Sequence, residues 1–461
     1  MKLWKLAPLT LALAAAFPGV ALAQSNEELL KELRALKDRV GELEKKLADK
    51  PAAAATGEKQ WGMTPEQVQD FNRISVKTEG LQDAVEAQGL KNLKISGVID
   101  PSYIFNQRQG TSSFAFLNNF AGTESFAYDN SFFGMAVIDF QKELDGGTRW
   151  RLTLVPHKSV GSNYNFPSIV HEASVSIPLG GLQTRGWAGQ IPDWSGYENY
   201  LANQTKFITH NMMFDFLAPT FYTGIGSDIT SGKWQIKTGL VNMNSARYNL
   251  GTDGRALKSP IFTTRVDYAK GEFSGWGGAM QLGRTANAVA GGYSGLINAE
   301  VDGYFIRGDL TLQGQLNYGQ QKNAAFNGGD SRWVGLSALG AYKLTPRLEL
   351  AARADYINNA KNGGGTYNIF FPTAGGPDGR NGFGPGMEQD PITGLWSVVD
   401  PNTGANRFAL ALGMNYALTG NATMKVEYRY DLASKAVFIA LPDGTYKKNN
   451  SLLGASVVVS F

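Results

Sequence analysis

From Lys91 onward the chain reads as all-β, a 16-stranded antiparallel transmembrane β-barrel, preceded by an N-terminal α-helical coiled-coil extension. Three observations predict this. Beyond Lys91 apolar residues recur with period 2. The connections between these stretches alternate between very short and much longer, and the strand count is even, as in bacterial single-chain membrane barrels. Composition agrees, since 55 glycines and 11% aromatic residues among 461 suit turns and strands. The chain has no cysteine, which removes disulfides, thiolate metal sites and cysteine nucleophiles together, and it has only three histidines. A formal net charge of +3 leaves no global footprint for a nucleic-acid partner. Neither a cofactor nor a metal site is expected.

Residues 1–23 read as a signal peptide. Lys2 and Lys5 precede an apolar run from Leu9 to Phe17, and Ala21-Leu22-Ala23 supplies the small-x-small cleavage pattern, placing the mature start at Gln24. Nowhere else do ~18 apolar residues run together. An exported chain without a spanning helix is soluble, secreted, or a closed barrel in the outer membrane.

Residues 24–50 read as a coiled coil. Leu29, Leu33, Leu36, Val40, Leu43 and Leu47 are spaced 4, 3, 4, 3, 4 with charged residues between them, a seam only two positions wide. So short a heptad run is marginal alone, so its self-association needs support from whatever it is attached to. Residues 51–90 hold a Pro/Ala linker and a second helical segment. There Thr64 reads as the N-cap, Pro65 as the first helical residue, and the helix runs to about Gln88.

Residues 91–461 form the expected barrel. The strands are read at about 93–105, 131–141, 148–155, 169–178, 182–190, 220–229, 233–243, 260–269, 272–283, 297–306, 310–320, 331–343, 347–358, 407–418, 422–431 and 451–461. The last of these puts Leu453, Ala455, Val457, Val459 and Phe461 on one face. A sandwich with a wet outside also alternates, but its turns are similar at both ends, and these are not.

On this pattern the chain resembles the Gram-negative outer-membrane porins with sixteen strands. The terminal Val457, Val459 and Phe461 look like the family's assembly signal. The resemblance implies that the third long connection, Ile191 to Pro219, folds back into the lumen as the constriction loop, with Asp193, Glu198, Lys206 and Asp215 as its charges. Its PDWSGYE stretch looks faintly like the segment entering the constriction of phosphate-selective porins, although the lysine- and arginine-rich eyelet of that group has no counterpart here. A coiled coil before a barrel is similar to some sugar-specific and phosphate-selective porins, and the resemblance implies a homotrimer in outer-membrane lipid.

If apolar faces meet lipid, their opposites face water. Parity then places Asp100, Glu172, Lys237, Arg265, Arg353, Lys425, Glu427 and Arg429 on the pore lining near mid-height, five basic and three acidic, which predicts a weak anion preference. An alternative is that these groups only hydrate the lumen and pair with each other. Of the aromatics, only Trp333 and Tyr304 are expected to point inward, which argues against a sugar-stacking slide. Residues 359–406, rich in Gly and Pro, read as surface decoration rather than a cap.

No Gly-x-Ser-x-Gly or His-Glu-x-x-His motif is present, and parity puts His171 on the lipid side or at the rim, so the chain is not read as an enzyme. The expected function is a porin, a water-filled channel for passive diffusion of small hydrophilic solutes or anions, with its coiled coil in the periplasm within reach of peptidoglycan. The alternatives are a structural anchor tethering that coiled coil to the cell wall, and a substrate-specific phosphate or sugar channel.

Overall fold

The computed structural model describes residues 64–87, 89–117, 134–155, 169–244, 259–287, 289–366 and 382–461. The expected signal peptide, the heptad from Leu29 to Leu47 and the linker lie outside the described residues, as does His157.

A helix spans Pro65–Ala87. Its start is a reciprocal cap: the Gln67 amide donates to Thr64 Oγ1 at 3.3 Å and the Thr64 amide donates to Gln67 Oε1 at 2.9 Å. Val68, Phe71 and Ile74 are exposed on it.

The barrel strands are Leu93–Ile99 continued by Ser102–Asn106, then Ala136–Glu143, Arg149–Leu154, Val170–Gly181, Thr184–Pro192, Phe221–Ser231, Trp234–Asn244, Ile261–Gly271, Ser274–Ala286, Tyr293–Arg307, Leu310–Gln321, Ser331–Lys343, Leu348–Asn358, Arg407–Ala417, Ala422–Ala433 and Asn449–Ser460. Each pairs antiparallel with its sequence neighbour, and the last returns to the first through Val98↔Ser460 and Ile99↔Val459. The described barrel is therefore closed, with sixteen strands. Phe461 completes the seam: its amide donates to Gly97 O at 3.1 Å, the Gly97 amide donates to Phe461 O at 2.9 Å, and its ring lies where a Gly97 side chain would be.

The first strand is broken where continuity was expected. Pro101 has no N–H to offer the ladder, so residues 93–99 pair with the second strand while Ser102–Asn106 pairs with the last strand and with Thr111–Ala115. The Asp100 carboxylate, buried at the break, accepts from the Gly134 amide at 3.1 Å and the Met135 amide at 2.5 Å. Strands Ser274–Ala286 and Tyr293–Arg307 also run on past their expected ends, so their connection is only residues 287–292.

Outward positions carry a belt of exposed apolar side chains, among them Ile138, Ile225, Leu240, Val301, Leu316 and Leu412. Tyr318, Tyr342, Tyr356, Tyr428 and Phe461 are exposed with them. In water so large an apolar surface would drive association, so its solvent is hydrocarbon bounded by an aromatic girdle. Every ladder bond stays inside the closed sheet, which is the condition for a strand to cross lipid.

Candidate functional site

The inner connection between Pro192 and Phe221 enters the barrel and packs on one side of the lumen. Its core is a short helix, Met212–Phe216, capped by the Asn211 side chain, which accepts from the Phe214 amide at 2.8 Å. Met212, Met213, Phe216 and Leu217 are fully buried against the inward faces of strands 331–343, 348–358 and 407–417. At roughly 1.5–3 kcal/mol for each apolar side chain removed from water, this contact is a folded core. Small residues make room for it. A Cβ at Gly335 would meet Met213 Sδ at 2.5 Å, and one at Gly413 would meet the Phe207 ring at 2.8 Å.

Five of the eight expected lining residues hold this loop: Arg265 donates to Trp194 O at 2.9 Å, and four others grip its later part. Arg353 donates to Thr209 O at 2.9 Å, Thr209 Oγ1 at 3.0 Å and His210 O at 2.8 Å, with Asp355 at 3.2 Å and Glu198 at 3.5 Å. Lys425 Nζ donates to Ala202 O and Thr205 O, both at 2.6 Å. Glu427 accepts from the Ile208 and Thr209 amides at 2.7 and 2.8 Å. Arg429 donates to His210 O at 3.2 Å and pairs with Asp431 at 3.1 Å, with Asp215 at 3.9 Å. These four point inward as parity required, but the loop covers them, so they clamp backbone carbonyls and amides instead of facing water. Asp100 is buried at the strand break, and Lys206 of the loop pairs with Glu349 of the wall at 2.7 Å.

The other side of the lumen stays open. A cavity of about 760 Å³ lies between loop residues 191–199 and the wall. Glu172, Lys237 and Arg265 line it, as do Asp193 and Glu198 from the loop and Arg151, Asp228, Asp267 and Asp302 from the strands. A second cavity of about 190 Å³ shares Arg151, Glu172, Asp193 and Glu198 with the first and continues towards Thr153, His171 and Thr220. Six carboxylates thus stand against three cations around the larger cavity, and two of the cations are engaged. Arg151 pairs with Asp139 at 2.8 Å and Glu172 at 3.3 Å, and Arg265 pairs with Asp267 and Asp302, both at 2.7 Å. The basic excess expected from parity is reversed, because Arg353, Lys425 and Arg429 are spent on the loop while Asp228, Asp267 and Asp302 of the wall, with Asp193 and Glu198 of the loop, line the open space.

Burial pushes the two loop carboxyls up, Asp193 to about 6 and Glu198 to about 7, the latter against the pull of Arg353. Burial, helped by Arg353, pulls His210 down to about 3 and keeps it neutral.

Three features differ from the sequence expectation. His171 is buried and stacks on Tyr200 of the inner loop at 4.0 Å, facing the lumen. A register shift between Thr153 and Leu154 pairs Thr153 with Glu172 and Leu154 with Val170, and a bulge of this kind resets the parity that placed His171 outside. Lumen aromatics are also more numerous than Trp333 and Tyr304. Trp187 and Tyr222 project inward, and Trp187 and Trp194 meet at 5.8 Å with rings nearly perpendicular. Finally, residues 382–406 are more than decoration. Phe383 is buried on Phe216 at 4.9 Å, and the Arg407 guanidinium lies within 5.0–5.5 Å of the Phe216, Phe383 and Phe438 rings while donating to Asp431 at 2.7 Å. The long loop and the last loop are thereby joined to the inner loop.

Comparison with known families decides the chain's affiliation. A family model described as "Protein of unknown function (DUF3138)" matches residues 4–461. The chain belongs to this family. A search of curated proteins gives the DUF3138 chain no match. Among solved structures it is similar to the trimer form of OmpT, an outer membrane protein of Vibrio cholerae, at 11% identity and a TM-score of 0.48, over 80% of this chain and 99% of that one. It is also similar to the anion-selective porin from Comamonas acidovorans, at 11% identity and a TM-score of 0.46 over the same shares. OprD of Pseudomonas aeruginosa is similar at 9% identity and a TM-score of 0.41, over 80% and 95%.

Proposed function

We propose that this DUF3138 protein is an outer-membrane porin, a passive channel for small hydrophilic solutes, whose path runs along the uncovered side of the lumen. The observation that carries this reading is the charge-lined cavity of about 760 Å³ between loop and wall, inside a closed barrel whose outer face is apolar. A pore of this kind selects by the fixed charge at its narrowest stretch. At a Debye length of ~8 Å, only nearby groups count. Glu172, Asp193 and Glu198 lie where the two cavities meet, with Arg151 paired beside them. The reading is therefore a weak cation preference, in place of the anion preference expected from the sequence. The short turns face the periplasm, the protein assembles as a homotrimer, residues 24–90 extend into the periplasm, and Val457, Val459 and Phe461 serve assembly.

The test is single-channel recording of purified full-length protein in a planar bilayer under a potassium chloride gradient. The expected record has conductance steps in groups of three and a reversal potential displaced to the potassium side. Folded, heat-modifiable protein that conducts nothing refutes the channel.

A further inference from the structure

We propose that the larger lumen cavity is a subsite for organic cations with an aromatic or apolar body, an inference that rests on the channel reading above. The cavity presents two surfaces, each matching one half of such a solute. The first is anionic. Arg265 is bracketed by Asp267 and Asp302, both at 2.7 Å, and by Glu300 at 3.4 Å, so three carboxylates share one guanidinium. Gly277 leaves this cluster uncovered on one side, since a Cβ there would meet Asp267 Oδ1 at 2.2 Å and Arg265 Nη2 at 2.8 Å. Asp228 and Glu172 extend the same sign along the cavity.

The second surface is aromatic. Trp187, Trp194 and Tyr304 line the same cavity, and Trp194 also leans on Tyr222 at 5.0 Å, which fixes its plane. Indole faces attract cations through the ring quadrupole, and the contact strengthens where water is partly excluded. An organic anion of equal size would find the same rings but meet the carboxylates as like charges. A hydrated potassium ion satisfies the carboxylates and gains nothing from the rings. A volume of about 760 Å³ falls within the usual ~300–1,000 Å³ of small-molecule sites. Loop and wall are also held in register here: the Gly196 amide donates to Glu300 Oε1, and Gln315 Nε2 donates to Glu300 Oε2 at 2.5 Å.

The experiment uses the full chain in a planar bilayer with three probes added in turn: benzyltrimethylammonium, tetramethylammonium and benzenesulfonate. Benzyltrimethylammonium is expected to interrupt the current with dwell times at least about threefold longer than tetramethylammonium, as stacking of its phenyl ring on an indole adds to the ammonium contact that the two probes share, while benzenesulfonate produces no resolved interruptions. W194L is expected to shorten the benzyltrimethylammonium dwell to that of tetramethylammonium. D302N is expected to shorten both. Y304L, which changes the wall and not the loop, is a second aromatic variant should W194L fail to fold. A channel that conducts potassium but treats benzyltrimethylammonium and benzenesulfonate alike overturns the subsite and leaves the channel standing. Absence of all conductance overturns both.

Discussion

Replacing Arg353 with methionine removes the charge at the centre of the clamp between wall and inner loop while keeping much of the side-chain volume. The guanidinium is fully buried, and three of its contacts go to Thr209 and His210 of the loop. Its loss leaves Glu198, Asp355 and Glu427 facing one another without their cation. Removing one partner of a buried ion pair costs about 3–5 kcal/mol, and a carbonyl left dry adds about 1–3 kcal/mol. The apolar docking of Met212, Met213, Phe216 and Leu217, at about 1.5–3 kcal/mol each, remains. The expected outcome is therefore local: residues 198–211 loosen while the short helix stays seated. In single-channel records R353M should show a larger mean conductance and more open-channel noise, with the heat-modifiable barrel intact. R353K restores the charge without the planar fork and should recover only part of the wild-type trace. A folded R353M channel with wild-type conductance and noise, and with wild-type protection of the loop from protease, would refute the clamp.

Acidification should weaken cation preference. Asp193 and Glu198, raised by burial to about 6 and about 7, are charged at pH 8 and mostly protonated at pH 5, so the reversal potential should move towards zero as the pH falls; E198Q should remove the part of that change centred near pH 7. G413L places a side chain where the Phe207 ring lies and should displace the loop, raising conductance without lowering the yield of folded barrel. Deleting Phe461 removes both seam bonds to Gly97 and should reduce the fraction of heat-modifiable protein recovered on refolding, and G97V, which collides with the Phe461 ring, should do the same.

The barrel was legible in the sequence because lipid imposes its demand on every strand. Leu410, Leu412, Leu453 and Val457 sit outward where alternation put them. The lumen was less legible, because alternation says only which side chains point inward and not what they meet there. Arg353 and Lys425 point in as expected, yet their partners are the carbonyls of Ala202, Thr205, Thr209 and His210, which carry no side-chain signal. A signal for the covered side was present. Leu339, Ala341, Ala351, Ala409, Ala411 and Gly413 are inward positions on three adjacent strands where water would favour polar groups, and the Phe- and Met-rich stretch from Phe207 to Phe216 is their complement. His171 was misplaced because a bulge resets parity without leaving a glycine or proline to mark it.

The inner loop makes the ring two materials. Along strands 331–343, 348–358 and 407–417 an inward residue is a piece of close-packed interior, where a single added or deleted methylene is felt and substitutions are removed by selection for folding. At Asp228, Gln235, Lys237 and Asp267 an inward residue instead borders open space, and exchange of one polar group for another alters what passes without disturbing the scaffold, whereas Tyr222, Val241, Met243 and Ile261 on the same strands belong to the packed interior. Sequence drift, or a laboratory redesign of permeability, therefore finds its freedom at the few positions that border the cavity, while a change on the packed strands acts by loosening or displacing the inner loop.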